Sequence, residues 1–79
     1  MVEYFTDWCT KCSQTINWIE DLEQKYEHAV FLRIDCDTLP RLAQSKKIRV
    51  VPTYHFYKKG IMVREKTYLE LFYNIMFVG

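Results

Sequence analysis

The spacing of apolar residues changes abruptly between residues 6 and 10, and two cysteines sit where it changes. Val2-Glu3-Tyr4-Phe5-Thr6 is rich in β-branched and aromatic residues, the composition of a strand. From Cys9 onward, Cys12, Ile16, Ile19, Leu22 and Tyr26 recur at intervals of three and four, with acids opposite them at Glu20, Asp21 and Glu27. This pattern predicts one proline-free helix from about Thr10 to Tyr26. Ala29-Val30-Phe31-Leu32-Arg33-Ile34-Asp35 then reads as a second, more apolar strand. A helical crossover between two strands forces them parallel and right-handed.

The rest of the chain completes one sheet. A short helix is expected from Leu39 or Pro40 to Lys46, with Pro40 in its first turn and Leu39, Leu42 and Ala43 on its apolar face. Thr53–Lys58 is a third strand. Lys59-Gly60 supplies a tight turn, and Ile61–Glu65 returns antiparallel. Thr67-x-x-Glu70 is a capping box that opens a last helix. The order is β-α-β-α-β-β-α, an α/β fold with a central mixed four-stranded sheet and helices on both faces. With 79 residues, 49% of them hydrophobic and 16% aromatic, the chain has material for one core and one domain, 1–79.

Charge and termini narrow the function. The formal net charge is +1, and the basic runs Lys46-Lys47-Ile48-Arg49 and Lys58-Lys59 are short, so no nucleic-acid partner is expected. Met1-Val2-Glu3-Tyr4 lacks the basic and apolar regions of a signal peptide. Leu69–Val78 is shorter than the roughly 20 residues a bilayer span needs, so no membrane partner is expected either. These features predict a cytoplasmic, reducing location, where disulfides that form are catalytic or regulatory. Three cysteines, an odd number, also fit poorly with a structural disulfide framework.

Cys9 and Cys12 carry the chemistry. Residues three apart in a first helical turn bring two sulfurs within bonding reach. The helix N-terminus offers free N–H groups to Cys9 and favours its thiolate, and Lys11 adds a cation. Lowering a thiol pKa from ~8.5 to ~7 raises the ionised fraction at pH 7 roughly fifteen-fold. Cys9 is therefore expected to attack a substrate disulfide, and Cys12 to resolve the mixed disulfide. Trp8 would shield one side of the pair. A structural zinc needs four ligands, but Cys36, His28 and His55 form no second closely spaced pair, so neither metal nor cofactor is expected. Two inert buried cysteines are the plainer alternative; the preceding strand and Trp8 weigh against it. Cys36 reads as a small packing residue, His28 and His55 as loop and strand-surface residues, and Tyr54, Phe56 and Tyr57 as sheet residues.

Glu3-Tyr4-Phe5-Thr6-Asp7-Trp8-Cys9-Thr10-Lys11-Cys12 resembles the active-site segment of thioredoxins, and Val30–Asp35 and Val51–Gly60 resemble the family's next segments in the same order. The resemblance implies a thioredoxin-like fold and a protein-disulfide reductase. It implies a cis Val51–Pro52 bond in a loop facing the cysteines, with Trp8, Thr10, Lys11, Val51, Pro52 and Thr53 contacting substrate. It also implies that Glu3 accepts a proton from Cys12 through water. Disulfide-containing proteins would be substrates, thioredoxin reductase or glutathione the reductant, and the protein a monomer. Some positions depart from the family pattern. Thr10-Lys11 replaces Gly-Pro, Glu3 replaces a shorter Asp, Phe31 stands where a lysine often partners that acid, and Asn17 stands where a proline kinks the helix. The family's first strand and helix have no counterpart before Val2, and Tyr68–Val78 is apolar nearly all round. Those two features support a second reading, a redox-inert or truncated interaction module.

Overall fold

A computed structural model describes residues 1–73. Strand β1 (Val2–Phe5) leads into helices α1 (Thr10–Gln14) and α2 (Ile16–Lys25). Strand β2 (Leu32–Asp35), helix α3 (Pro40–Ser45), strands β3 (Thr53–Lys58) and β4 (Ile61–Thr67) and a π-helical turn, Leu69–Tyr73, complete the described chain. The sheet order is β2-β1-β3-β4, with β1 and β2 parallel and the other pairs antiparallel. This is the expected mixed four-stranded α/β arrangement.

Strand β1 is central, and both of its faces are covered. Glu3 and Tyr4 point to opposite sides of the pleat, and both are buried. On one side Trp18 of α2 meets Tyr54 edge-on at 5.5 Å and Phe72 of the π-helical turn at 5.0 Å. On the other, Tyr4 packs edge-on against His55 at 4.9 Å. There the end of α3 and the loop after it form a groove with Thr53, His55 and Tyr57. Aromatic side chains supply much of the buried area on both sides, as a small core requires.

The expected single helix from Thr10 to Tyr26 is broken at Thr15. No proline is involved. The Thr15 hydroxyl lies 2.8 Å from the Cys12 carbonyl oxygen and its N–H bonds the same carbonyl at 3.3 Å, an i−3 pattern that competes with the i−4 ladder. The break re-aims α2. Its inward stripe is Thr15, Trp18, Ile19 and Leu22, while Ile16 and Tyr26, expected inside, are 38% and 51% exposed.

Two other elements shift. The second strand starts at Leu32, three residues later than expected, where its parallel register with β1 opens opposite Val2; Leu32 N–H bonds the Met1 carbonyl at 3.0 Å. It is an edge strand, so its apolar Leu32 and the neighbouring Val30 are largely exposed. In α3 only Ala43 is buried; Leu39 is the N-cap and is exposed. Strand β4 runs two residues past Glu65, to Thr67. There the capping box forms as expected, Thr67 N–H bonding Glu70 Oε1 at 3.2 Å and Glu70 N–H bonding Thr67 Oγ1 at 3.5 Å. The turn that follows is π-helical, and residues 74–79 of the expected last helix lie outside the described residues.

Candidate active site

Strand β1 delivers the chain to the site. After Phe5, Thr6 is buried, and its carbonyl accepts the Cys9 N–H at 3.3 Å, closing a tight turn through Asp7 and Trp8. Cys9 has extended backbone angles and forms the N-cap of α1. N-caps need a side-chain acceptor for the free amides of the first turn. Here Cys9 Sγ is that acceptor, taking the Cys12 N–H at 3.1 Å. The same bond would stabilise a Cys9 thiolate. Because α1 has only five residues, this local N–H, more than a long helix dipole, supplies the positive environment.

Cys9 and Cys12 are joined as a disulfide, with their Cα atoms 5.2 Å apart. Cys9 is 8% exposed and Cys12 only 1%. Cys9 is thus the outer sulfur of the pair and Cys12 the inner one. Both sulfurs open on a small cleft lined also by Ile16 and Arg33.

The flanking residues are held in place. Trp8 is 71% exposed, yet its indole Nε1 donates to Asp37 Oδ2 at 2.9 Å. Asp37 is in turn held by its N–H bonding Asp35 Oδ1 at 2.9 Å. The Val51–Pro52 bond is cis, and the Thr53 hydroxyl donates to the Val50 carbonyl at 2.7 Å. Trp8 and Val51 line one groove, while Lys11, Val51, Pro52 and Tyr68 line a second. Lys11 places its ammonium over the Tyr68 ring at 5.3 Å, so it belongs to this second groove. Thr10 opens α1 and is exposed.

Glu3 is fully buried on the α2 side of the sheet. Its Oε1 accepts from Arg33 Nε at 2.8 Å, across the β1–β2 register that sets the two residues side by side. Its Oε2 lies 2.8 Å from Thr15 Oγ1. Arg33 also stacks over Phe5, with 4.0 Å between the guanidinium carbon and the ring centroid. The Tyr54 hydroxyl is buried beside this cluster without a hydrogen-bond partner among the described residues. Burial pushes its pKa well up, and the Glu3 charge pushes the same way.

Thr15, Arg33 and Tyr54 are absent from the sequence-based site. Arg33, set beside Glu3 by the parallel register, supplies the cation that partners that acid. The signal for Thr15 was present: it continues the Trp18, Ile19 and Leu22 stripe backwards at helical spacing. Cys36 is a free thiol whose pKa is raised by burial and by the neighbouring Asp35 and Asp37. Among the described residues no group of His, Cys, Asp or Glu side chains is arranged to hold a metal ion, and no helix is long and apolar enough to cross a membrane.

A parallel β-α-β unit with a disulfide capping its helix, and a cis-proline strand entry beside it, defines a dithiol–disulfide domain of the thioredoxin fold. The thioredoxin family profile matches residues 1–70. Sheep thioredoxin is 32% identical over 65 residues, which cover 82% of this chain and 62% of that protein. Chlamydomonas reinhardtii thioredoxin f2 superposes with a TM-score of 0.81 at 26% identity, over 98% of this chain and 72% of that one. A chain from the crystal structure of a ferredoxin:thioredoxin reductase and thioredoxin f2 complex gives 0.76 at 35% identity, over 95% and 72%. The chain belongs to the thioredoxin family. It spans 62% of the length of the sheep protein it matches.

Proposed function

We propose that this chain is a thiol–disulfide oxidoreductase that reduces protein disulfides through the Cys9/Cys12 couple. The observation that carries the reading is the pairing of an N-cap sulfur that accepts a backbone N–H with an inner, 1% exposed sulfur one turn behind it. Reduced Cys9 attacks a substrate disulfide as thiolate, forming a mixed disulfide and releasing one substrate sulfur. Cys12 then attacks Cys9 Sγ and releases the second. The substrate gains two electrons and two protons, and the Cys9–Cys12 bond forms. Glu3 accepts the Cys12 proton in the second step. Trp8, Thr10, Lys11 and Val51 form the contact surface for the substrate chain, with the Val51 backbone pairing with it, and the buried Pro52 and Thr53 hold that loop in shape beneath it.

The oxidised couple needs an external reductant, for which thioredoxin reductase or glutathione has the right chemistry. A reducing compartment, the cytoplasm, is the proposed location, in keeping with an exchange couple that must be returned to the dithiol form. We take the working form to be a monomer acting as one domain, 1–79.

Insulin reduction by dithiothreitol tests the activity. The wild-type chain accelerates it, and Cys9→Ser falls to the uncatalysed rate. Cys12→Ser retains the attacking sulfur without its resolver and accumulates mixed disulfides visible by mass spectrometry. Identical insulin traces for wild type and Cys9→Ser would refute the reading.

A further inference from the structure

Thr15 Oγ1 makes two contacts of 2.8 Å, one to Glu3 Oε2 and one to the Cys12 carbonyl oxygen. The residue is 1% exposed, so water does not compete freely for either contact. A hydroxyl has one hydrogen to donate, and a carboxylate oxygen and a carbonyl oxygen both only accept. With Glu3 ionised, one of the two contacts therefore holds no hydrogen. With a proton on Glu3 Oε2, that proton is donated to Thr15, Thr15 donates its own to Cys12, and both contacts are filled. The other oxygen, Oε1, already accepts from Arg33 at 2.8 Å. A proton arriving at Glu3 thus has its place on the oxygen that faces Thr15.

Few groups surround this carboxyl. Arg33 faces it from β2, the Tyr54 hydroxyl from β3, and Thr15 with the Cys12 backbone from the break between α1 and α2. Lys66 of β4 is one strand further, opposite Tyr54.

We propose that Thr15 is a positioning residue for the resolving step, coupling the proton on Glu3 to the turn that carries Cys12. The proposal rests on the reading that Glu3 takes the Cys12 proton. In that step the Cys12 thiol gives its proton to Glu3, and the resulting thiolate attacks Cys9 Sγ. The Cys9–Cys12 bond forms as the bond from Cys9 to the substrate sulfur breaks. The substrate sulfur leaves with the electron pair and is protonated by solvent. As Glu3 gains its proton, Thr15 turns its hydrogen onto the Cys12 carbonyl and fixes the attacking turn. When Glu3 releases the proton, the hydrogen returns to Oε2. Thr15 acts only through Glu3 and the backbone.

The test follows thiol release from dithionitrobenzoate across pH, in a Cys36→Ser background so that two thiols report. The first equivalent marks attack by Cys9, and the second marks resolution by Cys12. Thr15→Val slows the second step about tenfold, the worth of one buried hydrogen bond, and alters its pH profile while the first step is unchanged. Thr15→Ser restores the hydroxyl and stays within about twofold of wild type. Thr15→Val combined with Glu3→Gln is no slower than Glu3→Gln alone, because both remove one linkage. Circular dichroism melts confirm folding, and Thr15→Ala replaces Thr15→Val if the latter melts below assay temperature. Equal rates for Val and Ser variants, equal slowing of both steps, or multiplying effects in the double variant would each overturn the proposal. A wild-type chain that never releases the second equivalent overturns the oxidoreductase reading as well, which separates the two failures.

Discussion

Two buried tyrosines face opposite sides of the sheet, Tyr4 toward the α3 side and Tyr54 toward α2. Burial raises the pKa of both phenols; Tyr57 and Cys36 add to the effect on Tyr4, and Glu3 adds to it on Tyr54. An acid with a raised folded-state pKa keeps its proton in the native state after the unfolded chain has lost it. Stability from this source is intact below pH ~10 and declines as pH rises above it, by up to about 1.4 kcal/mol per pH unit per group. Melting temperature should therefore fall above pH 10, and Tyr54→Phe should flatten that fall. Equal alkaline slopes for wild type and Tyr54→Phe would show that Tyr54 is not responsible. At this scale the strand-to-helix switch marked Cys9 and Cys12, while Glu3 entered only through the family resemblance. Arg33 was not legible, because its place beside Glu3 depends on the parallel register, which no local pattern encodes.

Among the elements, the β3–β4 hairpin is the one whose local rule is plainest. Lys59 and Gly60 adopt φ of 54° and 78°, the left-handed pair of a type I′ turn. A side chain added at Gly60 would meet nothing within 4 Å, so the penalty for Gly60→Ala is purely conformational. It should cost about 1–2 kcal/mol, read as a lower urea midpoint with an unchanged m-value. An unchanged midpoint would mean that the turn relaxes without strain. The sequence pattern exposed this hairpin because its signal lies in two adjacent residues. The helix break did not show, because Thr15 looks like any polar residue in a helix until its hydroxyl is seen competing for the Cys12 carbonyl. The late start of β2 was hidden for a related reason. Its apolar run continues back to Ala29, but the strand's first paired residue is set by the register with β1, which no local pattern marks.

For the whole molecule, the disulfide closes a loop of four residues and contributes modestly to stability. Reduction should lower stability by about 2 kcal/mol and the melting temperature by about 10 °C, in one cooperative transition. A broad melt indifferent to reductant would favour the inert interaction module instead. Exposed Leu32 on the edge strand, with exposed Val30 just before it, is the feature that most favours that alternative, since an open apolar edge invites another chain. Strand β1, by contrast, is paired on both edges and covered on both faces. Its backbone amides should be among the slowest in the molecule to exchange with deuterium. The reactive sulfur, four positions past Phe5, inherits its coordinates from that slow-exchanging interior, so fraying at the periphery can proceed without detuning the couple.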